Sequence, residues 1–350
     1  MDAMEGLTGG LLRSPDPSVA FRANRLLAGQ ADDDPQQLLR RQLVSTSDNA
    51  RRLLSLRSTD GHAYRKWQGP HFTLAGLAEL GFPAGDAQLR PLFGEVYDWL
   101  FSSRHLRPPH TAVIPDQPDR VRRCASQEGL AIWYSMELGS TDERVDELVE
   151  RLLSFQWPDG GWNCDRKLST RTSSVQETLL PLRGLIRYAR ERPSPQVLDA
   201  IHRAAEFLLA RQLLWRRHDG APIRPDWGKD PMRIQWPIRF YDVLFALVVM
   251  TEADRVGDDR CAAALELLRG KELPGGGFPA ELRTAKRADH IVSGGTFADW
   301  GPTGRTHPNP FVTVDACWVL LKAGGRGGSG CVRRALRRET GVGESTDRSS

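Results

Sequence analysis

Three short pairs set an acid at the start of an apolar run: Gln127-Glu128, Gln176-Glu177 and Tyr241-Asp242. A carboxylic acid held neutral in a dry site can give a proton to a bound molecule, so acids opening neighbouring helices are candidate proton donors if they converge. The same acids also suit ordinary helix starts, where they meet free N–H groups and the helix dipole for about 0.3–1 kcal/mol. Asp165, in Asn163-Cys164-Asp165, is a fourth candidate, either at the rim of a site or simply closing a turn; Cys164 in the same tripeptide could face Cys124 across neighbouring helices. Aromatic faces that shield a cation or cover an apolar ligand come from Trp67, Phe72, Trp133, Tyr134, Trp236, Phe240, Tyr241, Phe245 and Trp318, with His71 beside Phe72, although core packing suits any one of them as well. Arg224 and Arg233 bracket a segment rich in charge, Trp and Pro that reads either as a lid facing an anionic head or as a long surface connection.

Such groups must be carried by a sizeable core. The 350 residues are 40% hydrophobic and 26% charged, enough for one large core or two modest ones and too apolar for a disordered tail. Forty-eight basic side chains against 44 acidic ones leave +4, most of it in the arginine-rich stretch after Gly324, and a nearly neutral body does not suit nucleic acid. The five cysteines lack CxxC spacing and the start lacks a basic-plus-apolar leader, which points to a reducing cytoplasm. The most apolar stretch, 243–250, falls far short of the roughly 20 residues that cross a bilayer.

Apolar residues recur at three- and four-residue spacing and almost never alternate, so the chain reads as all-α. Asp16-Pro17 opens a helix to about Leu27, Asp34-Pro35 another to Leu43, and a third covers Asn49 to Leu56. From His71 onward, helices that are apolar nearly all round (from Phe72, Gln127, Gln176, Tyr241 and Phe311) alternate with striped ones, an inner and outer arrangement. An ungapped self-alignment of residues 142–162 with 258–278 shows the repeat: an acid-started striped helix that ends in Pro-x-Gly-Gly-aromatic. Periodicity alone leaves open whether such pairs form a solenoid or close on themselves.

The segment Phe155-Gln156-Trp157-Pro158-Asp159-Gly160-Gly161-Trp162 fits Q-x3-G-x-W and resembles the QW motif of triterpene cyclases and the repeats of protein prenyltransferase β-subunits. A weaker copy has Glu272 for the Gln and Phe278 for the Trp. The resemblance implies a single α/α toroid over residues 61–323, preceded by a helical extension over 1–60 and followed by a flexible basic tail over 324–350. It further implies a terpenoid-cyclase-like protein that holds an isoprenoid or other apolar polyene in a central cavity, cyclising or isomerising it by protonation without a cofactor. In that family the acid lies in Asp-x-Asp-Asp, whereas here Asp32-Asp33-Asp34 follows Ala31 and runs into Pro35, so Glu128, Glu177, Asp242 and Asp165 stand as candidates. The ionisation motif Asp-Asp-x-x-Asp is also missing. Asp315-Ala316-Cys317 is similar to the zinc-ligand pair of prenyltransferases, but no histidine follows it, and no metal is expected. The rival readings are a non-catalytic ligand-binding or scaffold ring and a carbohydrate-active (α/α) barrel.

Overall fold

The computed structural model describes residues 3–106, 113–114, 116–140, 142–165, 167, 169–223, 230–237 and 240–324. Arg224 of the lid segment, the basic tail beyond Gly324 with its later glycines, and Cys331 lie outside them. The described chain is mostly helical: α1 (Ala3–Leu12), α2 (Pro17–Leu26), α3 (Pro35–Ser45), α4 (Asp48–Leu56), α5 (Pro70–Leu80), α6 (Arg90–Leu100), α7 (Ala125–Glu137), α8 (Arg144–Ser154), α9 (Val175–Ala189), α10 (Pro195–Leu209), α11 (Val243–Glu252), α12 (Ala262–Arg269) and α13 (Pro310–Ala323). Its strands are short. Val113–Ile114 pairs antiparallel with Gln117–Val121, while Gln235–Trp236 with Leu282–Arg283 and Lys286–Arg287 with Gly295–Thr296 pair in parallel. No described helix is long and apolar enough to cross a membrane.

Local chemistry explains where the helices start. Asp16 accepts from the Ser18 and Val19 N–H groups and Pro17 takes the first helical position; Asp34-Pro35 and Ser194-Pro195 repeat the device for α3 and α10. Every residue of α5 is buried, as is nearly every residue of α11, whereas α8 buries only the stripe Val145, Leu148, Val149 and Leu152. Apolar-all-round helices therefore lie inside and striped ones cover them.

The inner helices touch in cyclic order: α2 meets α5, α5 meets α7, α7 meets α9, α9 meets α11, α11 meets α13, and α13 returns to α2. Helix α2 thus takes a place in the cycle, although the repeat pattern sets residues 1–60 apart as an extension, and one apolar core runs from Leu11 to Val319. The α7–α9 crossing is the closest: a Cβ on Gly129 would meet Pro181 Cα at 2.4 Å, and one on Gly184 would meet the Gly129 carbonyl oxygen at 2.4 Å. Only glycine allows the two backbones to approach this far.

The two repeat joints share a hydrogen-bond plan. After α8, the Trp157 N–H donates to Gly161 O at 2.8 Å, the Trp162 N–H to Thr178 Oγ1 at 3.3 Å, and the Ser174 N–H to Trp162 O at 2.9 Å. After α12, the corresponding bonds run from Leu273 to Gly277 (2.9 Å), from Phe278 to Thr313 Oγ1 (3.0 Å) and from Asn309 to Phe278 O (2.8 Å). The first joint adds Gln156, whose amide donates to Gly160 O at 2.7 Å and Ala200 O at 2.9 Å, tying the end of α8 to α10. Connections that lead into α7, α9, α11 and α13 are long, and those that follow α7, α9 and α11 are short, so loops gather where these helices begin.

Candidate functional site

Two cavities lie between the inner helices and share Glu79 and Arg183 as a common wall. The first, at the helix starts, has about 40 Å³ and is lined by Tyr64, Lys66 and Trp67 from the turn before α5, His71, Phe72 and Ala75 on α5, Ser126, Gln127 and Leu130 on α7, Gln176 and Leu180 on α9, and Phe240 before α11. At roughly 10–15 Å³ per water, this is space for a few solvent molecules or one compact group.

The first cavity is aromatic and carries a cation. Trp67 and Phe72 meet edge to face at 4.7 Å between ring centroids, Trp67 and Phe240 at 5.5 Å, and Tyr64 stacks on Trp99 at 5.2 Å. Trp67 takes φ 65°, a left-handed backbone that costs a bulky residue about 1–3 kcal/mol, where the tight turn over His62–Gly69 sets its ring against Phe72 and Phe240. The Lys66 ammonium lies 5.2 Å from the Trp67 ring centroid and 5.4 Å from that of Phe240. The aromatic faces that would shelter a ligand cation are thus already covered by a protein cation. His71 Nδ1 is 3.0 Å from the Tyr134 hydroxyl, and burial holds that phenol well above its ordinary pKa, so Tyr134 keeps its proton.

The common wall draws one side chain from each inner helix. Arg183 (α9) donates to Glu79 (α5) at 2.8 Å and to Glu252 (α11) at 3.1 Å, and its guanidinium lies 4.0 Å from the Trp133 ring centroid (α7). Arg22 (α2) donates to Glu79 at 3.2 Å and clasps Asp315 (α13) through two bonds of 2.7 and 2.9 Å. Burial lowers the Arg183 pKa, but the charges of Glu252 and Glu79 outweigh it and hold the group fully protonated. The same burial pushes Asp315 and Glu252 above the usual carboxylate range. Charges this deep are retained because each has a partner.

Beyond the wall, the second cavity has about 80 Å³ and is lined by charged groups of the later helical turns together with Phe21, Trp133 and Trp318. Glu137 accepts from Arg25 at 2.9 Å and from Arg187 at 2.6 Å; burial opposes its charge, but the two arginines hold its pKa far below the ordinary value.

Trp67, His71, Phe72 and Phe240, singled out in the sequence, line the first cavity; Trp133 and Trp318 line the second, and the Tyr134 hydroxyl meets His71. Trp236 stacks on Phe311 at 5.5 Å in the core, the Tyr241 hydroxyl donates to Leu213 O at 2.7 Å, and neither lines either of these two cavities. The four candidate acids also lie off both. Glu128 Oε1 has His105 at 3.2 Å, Arg123 at 3.2 Å and Arg151 at 3.0 Å; burial pushes its pKa up, but these three partners outweigh it and keep the group ionised. Glu177 accepts from the Ser126 N–H at 2.9 Å and hydroxyl at 3.0 Å, and burial leaves its pKa raised. Asp242 caps α11, accepting from the Phe245 N–H at 2.9 Å and the Gln235 N–H at 3.0 Å, with burial pushing its pKa up to about 7. Asp165 holds its own loop, accepting from the Lys167 N–H at 3.1 Å and the Thr170 hydroxyl at 3.3 Å.

In the first two pairs the residue that faces the cavity is the glutamine before the acid, because successive helical residues point about 100° apart. The sequence reading also leaves out Tyr64, Lys66, Glu79 and Arg183. The last two carry a signal that could have been used: an isolated charge in an apolar helix needs a partner in the interior. At Asp315-Ala316-Cys317 the acid is taken by Arg22 and the thiol is buried, its pKa pushed up to about 12; no group of three His, Cys, Asp or Glu among the described residues is placed to hold a metal ion. No protein-family model matches the chain, and no curated protein matches it at a significant level.

Proposed function

We propose that the chain is a single α/α toroid of the squalene-cyclase and prenyltransferase type that binds a compact, mostly apolar ligand with an acidic head, and that it acts as a binding protein rather than a cyclase. The cyclic contact order of six inner helices and the paired QW-type joints support the toroid. The observation that carries the functional reading is the wall itself: Arg22, Glu79, Arg183, Glu252 and Asp315 fill the space a long polyene would need, leaving about 40 Å³ on the aromatic side. The ammonium of Lys66 opposes a developing carbocation there and attracts an anion, while Gln127 and Gln176 supply neutral polar contacts. Glu79 is the one carboxylate of the described lining and is already paired with two arginines, so neither alkene protonation nor a two-carboxylate sugar hydrolysis finds its acid in this cavity.

The test is a tryptophan-fluorescence titration of the full chain with short prenyl alcohols, carboxylates and phosphates, followed by mass spectrometry of the recovered ligand. The reading expects saturable binding of the acidic forms, a loss of about tenfold in affinity for Trp67→Ala or Lys66→Met, roughly 1.4 kcal/mol, and unchanged ligand. Cyclised or isomerised product would overturn the non-catalytic reading. Absence of binding by every acidic prenyl compound would overturn the ligand class.

A further inference from the structure

Two cysteines that play no part in the proposed binding site stand side by side next to it. Cys124 is the residue before α7 and Cys164 follows the QW turn, and both are half-buried and outside any disulfide. Three contacts bring their segments together: the Arg123 N–H donates to Asn163 O at 2.9 Å, Ser126 binds Glu177 through its N–H and hydroxyl, and the Cys164 thiol lies 3.5 Å from the same Glu177 carboxylate. The backbone bond thus joins the residues that immediately precede the two cysteines, in register.

We propose that Cys124 and Cys164 form a redox-active pair that closes to a disulfide when the protein meets a hydroperoxide, fastening the loop after the QW turn to the start of α7. The reaction has two steps. The Cys124 sulfur attacks the peroxide oxygen, an S–O bond forms as the O–O bond breaks, and the departing oxygen takes the Cys124 proton and leaves as an alcohol or water. The Cys164 sulfur then attacks the Cys124 sulfenic acid, the S–S bond forms as the S–O bond breaks, and the Cys164 proton, relayed by the adjacent Glu177 carboxylate, joins the departing hydroxide, which leaves as water. In sum, two thiols and one hydroperoxide give one disulfide, one alcohol (water, for hydrogen peroxide) and one water. The order follows from the geometry of the proton: the Cys164 thiol donates to the Glu177 carboxylate at 3.5 Å, which holds that proton in place, and the hydrogen bond to Cys124, burial and the Glu177 charge raise its pKa in the same direction, so attack begins at Cys124. Cys261 and Cys317 are buried, and burial pushes each up to about 12, which leaves them as unreactive thiols.

The full chain, reduced and freed of reductant, is exposed to a small excess of hydrogen peroxide, alkylated, digested without reduction and mapped by mass spectrometry. The expected product is a peptide pair joining Cys124 to Cys164, lighter by two hydrogens, lost in Cys124→Ser and Cys164→Ser and kept in Cys331→Ser. A sulfenic-acid trap should label Cys124 in the Cys164→Ser variant. Recovery of both cysteines as separate thiols or sulfinic acids, or pairing of either with another cysteine, would overturn the proposal in the unmutated chain, whatever the folding of the variants. Labelling of Cys164 in Cys124→Ser with no labelling of Cys124 in Cys164→Ser would overturn the order of attack.

Discussion

At one end of the helix cycle Trp67, Phe72 and Phe240 pack edge to face beneath the Lys66 ammonium; at the other, Arg25 and Arg187 clasp Glu137 in a cavity lined by charge. The same helices build both ends, so helix packing does not make the difference. It comes from the loops. The connection before α5 delivers Tyr64, Lys66 and Trp67 to the first end and the long one before α11 delivers Phe240, while the short connections after α7, α9 and α11 leave the other end to the helices' own last turns. The wall of Glu79 and Arg183 keeps the two environments apart and makes the aromatic end a shallow site instead of a passage.

The strongest way to break this contrast is to remove the wall. Arg183→Leu leaves the buried Glu79 and the half-buried Glu252 short of their shared partner, and denaturant unfolding should show a loss of about 3–5 kcal/mol. A change within the error of the unmutated protein would mean that the wall is not an obligatory network.

A second contrast separates the candidate acids from the aromatic end. Asp242 binds its proton more tightly in the folded chain, with a pKa of about 7, than in the unfolded one, near 3.9. Between about pH 4 and about pH 7 the folded state therefore holds more protons, and the stability contributed by this group is present at low pH and lost as pH rises through about 7. The slope is at most about 1.4 kcal/mol per pH unit. Asp242→Asn should flatten that part of the stability profile and leave ligand affinity at the aromatic end unchanged, as measured by unfolding and fluorescence titration at several pH values.

The two repeat joints offer the mildest test. Gln156→Ala leaves the Gly160 and Ala200 carbonyls without their amide donor and should cost about 1–2 kcal/mol, whereas Glu272→Ala, at the exposed counterpart, should leave the Tm unchanged. Equal effects would show that the Gln adds nothing to the bonds both joints share.

Much of the helical plan was legible because it is written in short-range chemistry. Asp16-Pro17, Asp34-Pro35 and Ser194-Pro195 open helices where their side chains accept from free N–H groups, and the Pro-x-Gly-Gly-aromatic turns close α8 and α12. The place of α2 in the cycle was not legible, since nothing local says that Arg22 will find Asp315 across the whole length of the sequence. At the site, Trp67, His71 and Phe240 could be named from residue type, yet the choice between Gln127 and Glu128, or Gln176 and Glu177, depends on helix rotation, which changes by about 100° from one residue to the next. The wall escaped because its meaning lies in pairing between distant helices, which residue type alone does not give.

The central claim, a compact ligand held at the aromatic end and stopped by the wall, is tested most directly by anomalous diffraction from crystals of the chain soaked with a brominated short prenyl carboxylate. The account predicts one bromine site beside Trp67 and Phe240 with the carboxylate toward Lys66. Bromine between the wall and Trp318, or a ligand threaded past Glu79 and Arg183, would contradict it.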